Sequence, residues 1–271
     1  MDQSLRRDLR RFLAEDIGRG DITSALLSPG RIKASVIARE GCTVSGARHA
    51  RELFIMGGCS ARVCVGDGRS ARRGNIIMDV AGPARAVLST ERTALNLMSR
   101  MSGIATMTAR MVRKVGRKTA IYSTRKTAPG LRRFDKEAVV AGGGHAHRMS
   151  LDEAVLIKDN HIAAGGSMED LIRAARRKHR RIEVEVEDIG AAVLAADCGA
   201  DVILLDNFAP RQAARAVSEL RRRRPRPRIE ISGGITVQNI ARYAGIGADM
   251  ISVGSLTHSV RGIDYSLDVT G

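Results

Sequence analysis

The stretch GGGHAHRMSLDEAVLIKDNHI, Gly142 to Ile162, gathers glycines, histidines, Arg148 and Lys158 around one apolar run. Three chemistries fit these residue types: a metal site on His145 and His147, a nucleic-acid loop, or a pocket for a small anion. An HxH pair without a third ligand close in sequence is a weak zinc signature, because zinc fills a tetrahedral shell. The preceding STRKTAPG adds Arg125 and Lys126, so Arg125, Lys126, His147, Arg148 and Lys158 can converge on one place. Arginine forks match carboxylates through two parallel bonds and lysine supplies a movable point charge. His161 and His258 read as histidines that hold loops through backbone hydrogen bonds.

Carboxylates and glycine loops complete the set. IEVEVED puts Glu183, Glu185 and Glu187 on one face of a strand by its period of two, with valines on the other face. Such carboxylates repel unless a cation, ribose hydroxyls or basic side chains compensate, and Asp206 ends the next apolar run. Beside phosphate-binding loops they suggest Mg²⁺, a hard ion that takes oxygen ligands; salt bridges to neighbouring Arg and Lys are the alternative. RIEISGGIT and ISVGSLT end in glycine and small hydroxyl residues around Ser232, Gly233 and Gly254, as phosphate loops after late barrel strands do. Their glycines could equally serve tight turns alone.

The elements that must position these groups follow from hydrophobic period. Leu5, Leu9, Phe12 and Leu13 give a helical stripe, and short β-branched runs to about Gly82 suggest a small antiparallel sheet carrying one helix, ARHARELFIMGG. A long helix follows, with Ser89 as its N-cap and a break at Ser102-Gly103. The second half alternates AIYSTRK, AVLIKDN, IEVEVED, DVILLDN, RIEISGG and MISVGS with helical SMEDLIRAARRKH, IGAAVLAADCG, PRQAARAVSELRRR and TVQNIARYAGIG. Ser167 with Asp170 forms a capping box. This alternation predicts an α/β fold with a parallel, barrel-like sheet, whose C-terminal strand ends form the active face.

Composition narrows the classes. A chain of 271 residues with 44% hydrophobic content holds one or two globular domains. The net charge of +16 calls for an anionic partner or reflects solvated helix ends, since much of it lies in RRKHRR (Arg176 to Arg181) and RRRRPRPR (Arg221 to Arg228). Aromatics at 3%, with no Trp, argue against a base-stacking surface, so nucleic acid is an unfavoured partner. Cys42, Cys59, Cys64 and Cys198 lack metal spacing and read as buried thiols of a reducing, cytoplasmic setting. Neither an export signal nor a membrane span is indicated.

EDIGRGDIT, ERTALNLMSRMSGIAT, TRKTAPGLR, GGGHAHRMSLDEAVLIKDNHI, EVEVE, ILLDN, SGGIT and ISVGSLTHS together resemble the quinolinate phosphoribosyltransferase family, in family order from Glu15 almost to the C-terminus. The resemblance implies an N-terminal α+β sandwich domain over 1–105, an incomplete TIM-like α/β barrel over 106–271, and a homodimer whose sites the partner completes. It implies the reaction of quinolinate with phosphoribosyl pyrophosphate, in NAD biosynthesis, to give nicotinate mononucleotide, pyrophosphate and CO₂ with Mg²⁺. By position, Arg125, His147, Arg148 and Lys158 would hold quinolinate, with Arg92 reaching in from the other subunit. Lys126 would meet the pyrophosphate, Glu185 and Asp206 the ribose hydroxyls and metal, and Ser232, Gly233 and Gly254 the 5′-phosphate; Lys126, Lys158, Glu185 and Asp206 form the catalytic group. Ala146 and Ser123 depart from the usual pattern. A paralogous group linked to molybdate transport shares RKT and GGG but lacks IKDNH, which is intact here; a basic nucleic-acid-binding protein is the rival of a different class.

Overall fold

The computed structural model describes residues 2–270. The chain divides into two compact units, one of residues up to 106 with 140–142 and the segment from Val260 onward, the other of 107–139 and 143–259. The expected division at 105/106 gave the whole C-terminus to the barrel. Instead the closing strand returns to the first unit, because β1 offers it a free edge.

In the first unit, α1 (Gln3–Ile17) is capped by Asp2, whose side chain accepts from the Ser4 N–H at 3.1 Å, and it buries Leu5, Leu9 and Leu13. Phe12 of the expected stripe instead lies under Arg11, 5.4 Å from ring centroid to guanidinium carbon. The antiparallel sheet runs β12-β1-β5-β3, with β1 (Arg31–Ala38), β3 (Ser60–Val63), β5 (Ile76–Pro83) and β12 (Tyr265–Val269). A short pair, β2 (Cys42–Thr43) with β4 (Ser70–Ala71), and the helix α2 (Ala47–Met56) complete the α+β unit. Cys42 and Cys59 are buried as expected, whereas Cys64 is exposed beside Asp79 and Cys198 is half-buried.

Pro83 ends β5 and α3 (Ala84–Val115) starts at once, so Ser89 lies within the helix rather than at its cap. Its hydroxyl donates to Asp21 at 3.0 Å. Nor does α3 break at Ser102-Gly103. A Cβ on Gly103 would lie 2.2 Å from the carbonyl oxygen of Arg261, so the glycine marks where the returning C-terminal segment crosses the helix. The Ser102 hydroxyl beside it accepts from Tyr265 at 2.8 Å and donates to the Ser45 carbonyl at 3.0 Å.

The second unit is an incomplete α/β barrel. Its six parallel strands are β6 (Ala120–Tyr122), β7 (Val155–Ile157), β8 (Ile182–Val186), β9 (Val202–Asp206), β10 (Arg228–Ser232) and β11 (Met250–Ser252), in the order β6-β11-β10-β9-β8-β7. Helices α4 (Arg132–Ala141), α5 (Asp159–Gly165), α6 (Met168–Arg176), α7 (Ile189–Asp197), α8 (Pro210–Leu220) and α9 (Ser255–His258) alternate with them. Ser167 caps α6 as expected, accepting from the Asp170 N–H at 3.1 Å. The helix expected over TVQNIARYAGIG shrinks to a 3₁₀ turn at Ile240–Arg242, because Asn239 Oδ1 takes the Thr236 N–H and Gly245 and Gly247 adopt φ of 77° and 95°.

Strand register explains where charge can go. One face carries the continuous row Val186, Leu205, Ile231, Ile251 and Ile121, all buried. The alternate face carries Glu185, Leu204, Glu230 and Met250 in one row and pairs Asp206 with Ser232 beyond it. At the other end of the strands the arginine runs are partly tied down. Arg176 bonds Asp201 at 2.8 Å and Arg221 bonds Asp249 at 3.0 Å, while these aspartates accept the N–H groups of Ile182 and Ile229, each at 2.7 Å. Each aspartate ends a Gly-Ala-Asp turn, so the same device starts β8 and β10.

Gly103→Ala forces its methyl against backbone that has no free side-chain end to move. It should destabilise the protein by about 2 kcal/mol or more, by analogy with overpacked cores, read as a lower midpoint in chemical denaturation; an unchanged midpoint would contradict the crossing.

Candidate active site

The glycines of the opening stretch make an extra sheet edge. Gly143 has φ 86°, and a Cβ on Gly144 would meet Thr108 Cγ2 at 2.8 Å and Val139 Cγ1 at 2.9 Å. The chain can therefore press His145 against β6, where His145 N–H donates to Ile121 at 2.8 Å and Ser123 N–H returns to His145 at 3.0 Å. Tyr122 stacks on His145 with centroids 4.8 Å apart and meets His147 edge-on at 5.8 Å. The two positions that depart from the family pattern meet here, Ser123 Oγ donating to the Ala146 carbonyl at 2.7 Å.

His147 sits at φ 54°, left-handed backbone that costs a non-glycine residue about 1–3 kcal/mol. Its Nδ1 accepts from the Arg148 N–H at 2.8 Å, so the proton is on Nε2. That nitrogen lies 3.5 Å from Glu230 and 3.8 Å from Glu183, carboxylates only 1% and 2% exposed. Although these three side chains bring potential ligand atoms within 4.8 Å of one another, a metal would need the Nε2 lone pair that the proton occupies. The group is better described as an N–H aimed at a pair of buried carboxylates. Glu230 also accepts from Ser252 Oγ, while Glu183 Oε1 and Glu230 Oε2 have no hydrogen-bond partner among the described residues.

Cations crowd the same bend. Arg148 Nη1 donates to the Ala154 carbonyl at 3.1 Å, and burial, then the like charge of Arg125, pushes its pKa down. Arg125 Nε is buried with no hydrogen-bond partner among the described residues. A guanidinium left this way is a donor awaiting an acceptor. Lys136 of α4 is 1% exposed and donates to the carbonyls of Ala146 and Arg148, the latter at 2.7 Å.

On the other strand ends, Lys158 pairs with Glu185, and its N–H donates to His161 Nδ1 at 2.9 Å, the loop-holding role expected of His161. The carboxylates of IEVEVED thus diverge: Glu183 is buried, Glu185 is ion-paired and Glu187 is exposed. Asp206 accepts from Asn207 Nδ2 at 2.7 Å. A Cβ on Gly233, at φ 90°, would lie 2.2 Å from Asn207 Oδ1, so that turn admits only glycine beside Asp206. Ser255 donates to the Ile235 carbonyl at 3.2 Å and links the loops after β10 and β11. The Lys126 side chain lies over Gly254, its Cδ 3.2 Å from where a Cβ would stand. His258, expected to hold a loop, instead shares a 2.7 Å hydrogen bond with Ser259 Oγ.

Arg125, Lys126, Lys158, Glu185, Asp206, Ser232, Gly233 and Gly254 lie at or just beyond the C-terminal strand ends of the barrel unit, whereas His147 and Arg148 lie in the α4–β7 connection, just after the bridge of His145 to Tyr122 at the end of β6. Arg92 is exposed on α3 in the first unit. Glu230 and Lys136 were not anticipated. The alternation of RIEIS, with Ile229 and Ile231 on the apolar face, was the available signal for Glu230.

Burial, then Glu230, pushes the Glu183 carboxyl up to about 7 against the pull of His147, Arg181 and Arg148. The folded state therefore binds a proton that the unfolded chain releases between about pH 4.5 and 7, and this group's contribution to stability falls as pH rises through that window. Glu183→Gln should gain in Tm relative to the wild type by roughly 3–6 °C between acid and neutral pH. A difference that stays flat with pH would show that Glu183 ionises normally.

Family models place this geometry among known proteins. Residues 21–102 match the quinolinate phosphoribosyl transferase N-terminal domain and residues 104–268 its C-terminal domain. The chain is 42% identical to the probable nicotinate-nucleotide pyrophosphorylase [carboxylating] of Archaeoglobus fulgidus, covering 92% of this chain and 98% of that one. It is also 42% identical to the nicotinate-nucleotide pyrophosphorylase [carboxylating] of Mycobacterium leprae, over 97% and 96% of the two chains. The crystal structure of nicotinate-nucleotide pyrophosphorylase from Ehrlichia chaffeensis superposes with a TM-score of 0.94 at 34% identity, over 100% of both chains. The chain belongs to the quinolinate phosphoribosyltransferase family.

Proposed function

We infer that this chain catalyses the family's reaction, in which the ring nitrogen of quinolinate displaces pyrophosphate from phosphoribosyl pyrophosphate and CO₂ is lost. The product is nicotinate mononucleotide, a step of NAD biosynthesis, and the two substrates are small anions. Beyond family membership, the observation that carries the reading is the unpartnered Arg125 Nε beside Arg148, in a barrel mouth that also holds Lys126, Lys158 and the glycine loops. The intact Lys158-Asp159-Asn160-His161 favours this activity over the molybdate-linked paralogue.

Each residue has a role that its chemistry permits. Arg125 and Arg148 receive the quinolinate carboxylates, with Lys158, which must exchange its partner Glu185 for one of them. His147 spends Nδ1 on the chain and directs Nε2 at Glu183 and Glu230, so it supports the pocket floor more than it supplies a ligand. Lys126 neutralises the departing pyrophosphate, while Ser232, Gly233 and Gly254 hold the 5′-phosphate. Fixed cations need not reorganise as charge develops, and orientation removes most of the entropic cost of joining two anions. The pyridine nitrogen is already nucleophilic. Once ribosylated it carries positive charge and accepts the electron pair left at C2 when CO₂ departs.

Glu185 and Asp206 are the residues that would hold Mg²⁺. Each is engaged through one oxygen, by Lys158 and by Asn207, which leaves a second hard oxygen per carboxylate for an ion that completes its shell with substrate oxygens. When bound, the ion would neutralise charge on the pyrophosphate. The same carboxylates serve the ribose hydroxyls. Arg92 is proposed to complete the site of a second copy in a homodimer, and Ile22 and Leu26, each 85% exposed in the first unit, supply apolar surface for such an interface. A cytoplasmic setting fits four free thiols, and no helix of the described residues is long and apolar enough to cross a membrane.

Purified protein given quinolinate, phosphoribosyl pyrophosphate and Mg²⁺ should release pyrophosphate and CO₂; no release would refute the assignment. Arg148→Ala should weaken quinolinate binding by about 2–5 kcal/mol, the cost of removing one partner of a desolvated charge pair, with little change for phosphoribosyl pyrophosphate. Equal losses for both substrates would reject the role given to Arg148. Inactive Arg92→Ala and inactive Arg148→Ala should regain activity when mixed, through hybrid dimers with one intact site. No recovery despite confirmed subunit exchange would exclude a shared site.

A further inference from the structure

Lys136 occupies a place where a lysine is hard to keep. It is 1% exposed on α4 between buried Phe134 and Ala138, and no carboxylate ion-pairs with it among the described residues. Its charged neighbours are Arg132, Arg125 and Arg148, with Glu153 opposing them, and burial ahead of these cations pushes its ammonium down to about 8. A methionine would fill a similar volume without burying a charge. Fold stability therefore gives no reason for a lysine here, and the reason must lie in what its nitrogen touches.

That nitrogen touches the carbonyls of Ala146 and Arg148, the two peptide oxygens on either side of His147. His147 is one of two non-glycine residues at positive φ among the described residues. Backbone in that region stays there only when its surroundings hold it. Ser123 Oγ adds a second donor to the Ala146 carbonyl, and Arg132 Nη1 donates to the next one, Met149, at 3.0 Å. The left-handed turn is thus held through the carbonyls of Ala146, Arg148 and Met149, and Arg148 projects from it with one guanidinium nitrogen on the Ala154 carbonyl.

We propose that Lys136 is a positioning residue for the dicarboxylate end of the pocket, fixing the turn from which His147 and Arg148 project. The inference rests on the assignment of Arg148 to quinolinate. It requires geometry rather than charge, because even a neutral amine has an N–H for each carbonyl.

Lys136→Met tests this in the full-length protein. KM for quinolinate should rise about tenfold or more, while KM for phosphoribosyl pyrophosphate stays within about threefold and Tm is unchanged or higher. Lys136→Gln retains an NH₂ donor and should bind quinolinate better than the Met variant. A space-filling role alone would rank Met above Gln in every measurement. An unchanged quinolinate KM in Lys136→Met, or equal rises in both KM values, overturns the proposal. Should the Met variant not fold, the Gln variant decides on the same split, a selective rise in quinolinate KM supporting positioning and an unchanged or unselective KM overturning it. Wild-type turnover is the control: its absence refutes the proposed reaction, whereas turnover with an unaffected Met variant refutes only the role of Lys136.

Discussion

The structure depends on charges of both signs sharing a barrel interior where branched aliphatic side chains usually pack. Glu183 and Glu230 face His147 Nε2, and Arg125, Lys136 and Arg148 are charged neighbours of one another at the same turn. Neither set is tolerable alone, since a buried charge without a counter-charge costs several kcal/mol. Glu230 raises the pKa of Glu183, and Arg125 lowers those of Arg148 and Lys136. Among the described residues no ion pair joins Arg125, Lys136 or Arg148 to Glu183 or Glu230, although both carboxylates act on Arg148. The cations are therefore balanced yet unsaturated, which is the condition for taking up an anion from solution.

Backbone geometry makes that condition possible. Glycine at 143 and 144 lets the chain reach the edge of β6, the left-handed turn at His147 follows, and Lys136 ties it down. At the far side of the sheet order, Lys158 is held by Glu185 until something replaces it. The loops after β10 and β11 are joined to each other through Ser255 and Ile235. A dianion at one end and a phosphate at the other would each meet groups already in place, so binding need not order the chain first.

Much of this was legible in the sequence. The six barrel strands fall inside the β-branched runs, and the polar residues after them were readable as strand ends, because period-two alternation fixes which side chains share a face. The exceptions have particular causes. α4 buries Asp135 and Lys136, at 0% and 1% exposure, beside Phe134, Ala138 and Val139, so charged residues interrupt the apolar pattern that would have marked it and its lysine. The helix α3 continues through Gly103 because a segment remote in sequence crosses there, a tertiary fact with no local signature. For the same reason the last strand, taken as barrel, belongs beside β1. The arginine runs gave a net charge but not its placement, and the aspartates that hold Arg176, Arg221 and Arg223 lie some 25 residues away in sequence.

The central claim is that Arg125 and Arg148 form an unsaturated dication built for the carboxylates of quinolinate. A crystal structure of the protein with quinolinate tests it most directly. Carboxylate oxygens should lie within hydrogen-bond distance of Arg125 Nε and of the Arg148 guanidinium, with the His147 turn unchanged. A bound quinolinate that leaves Arg125 Nε unpartnered, or whose carboxylates rest on other cations, would contradict it.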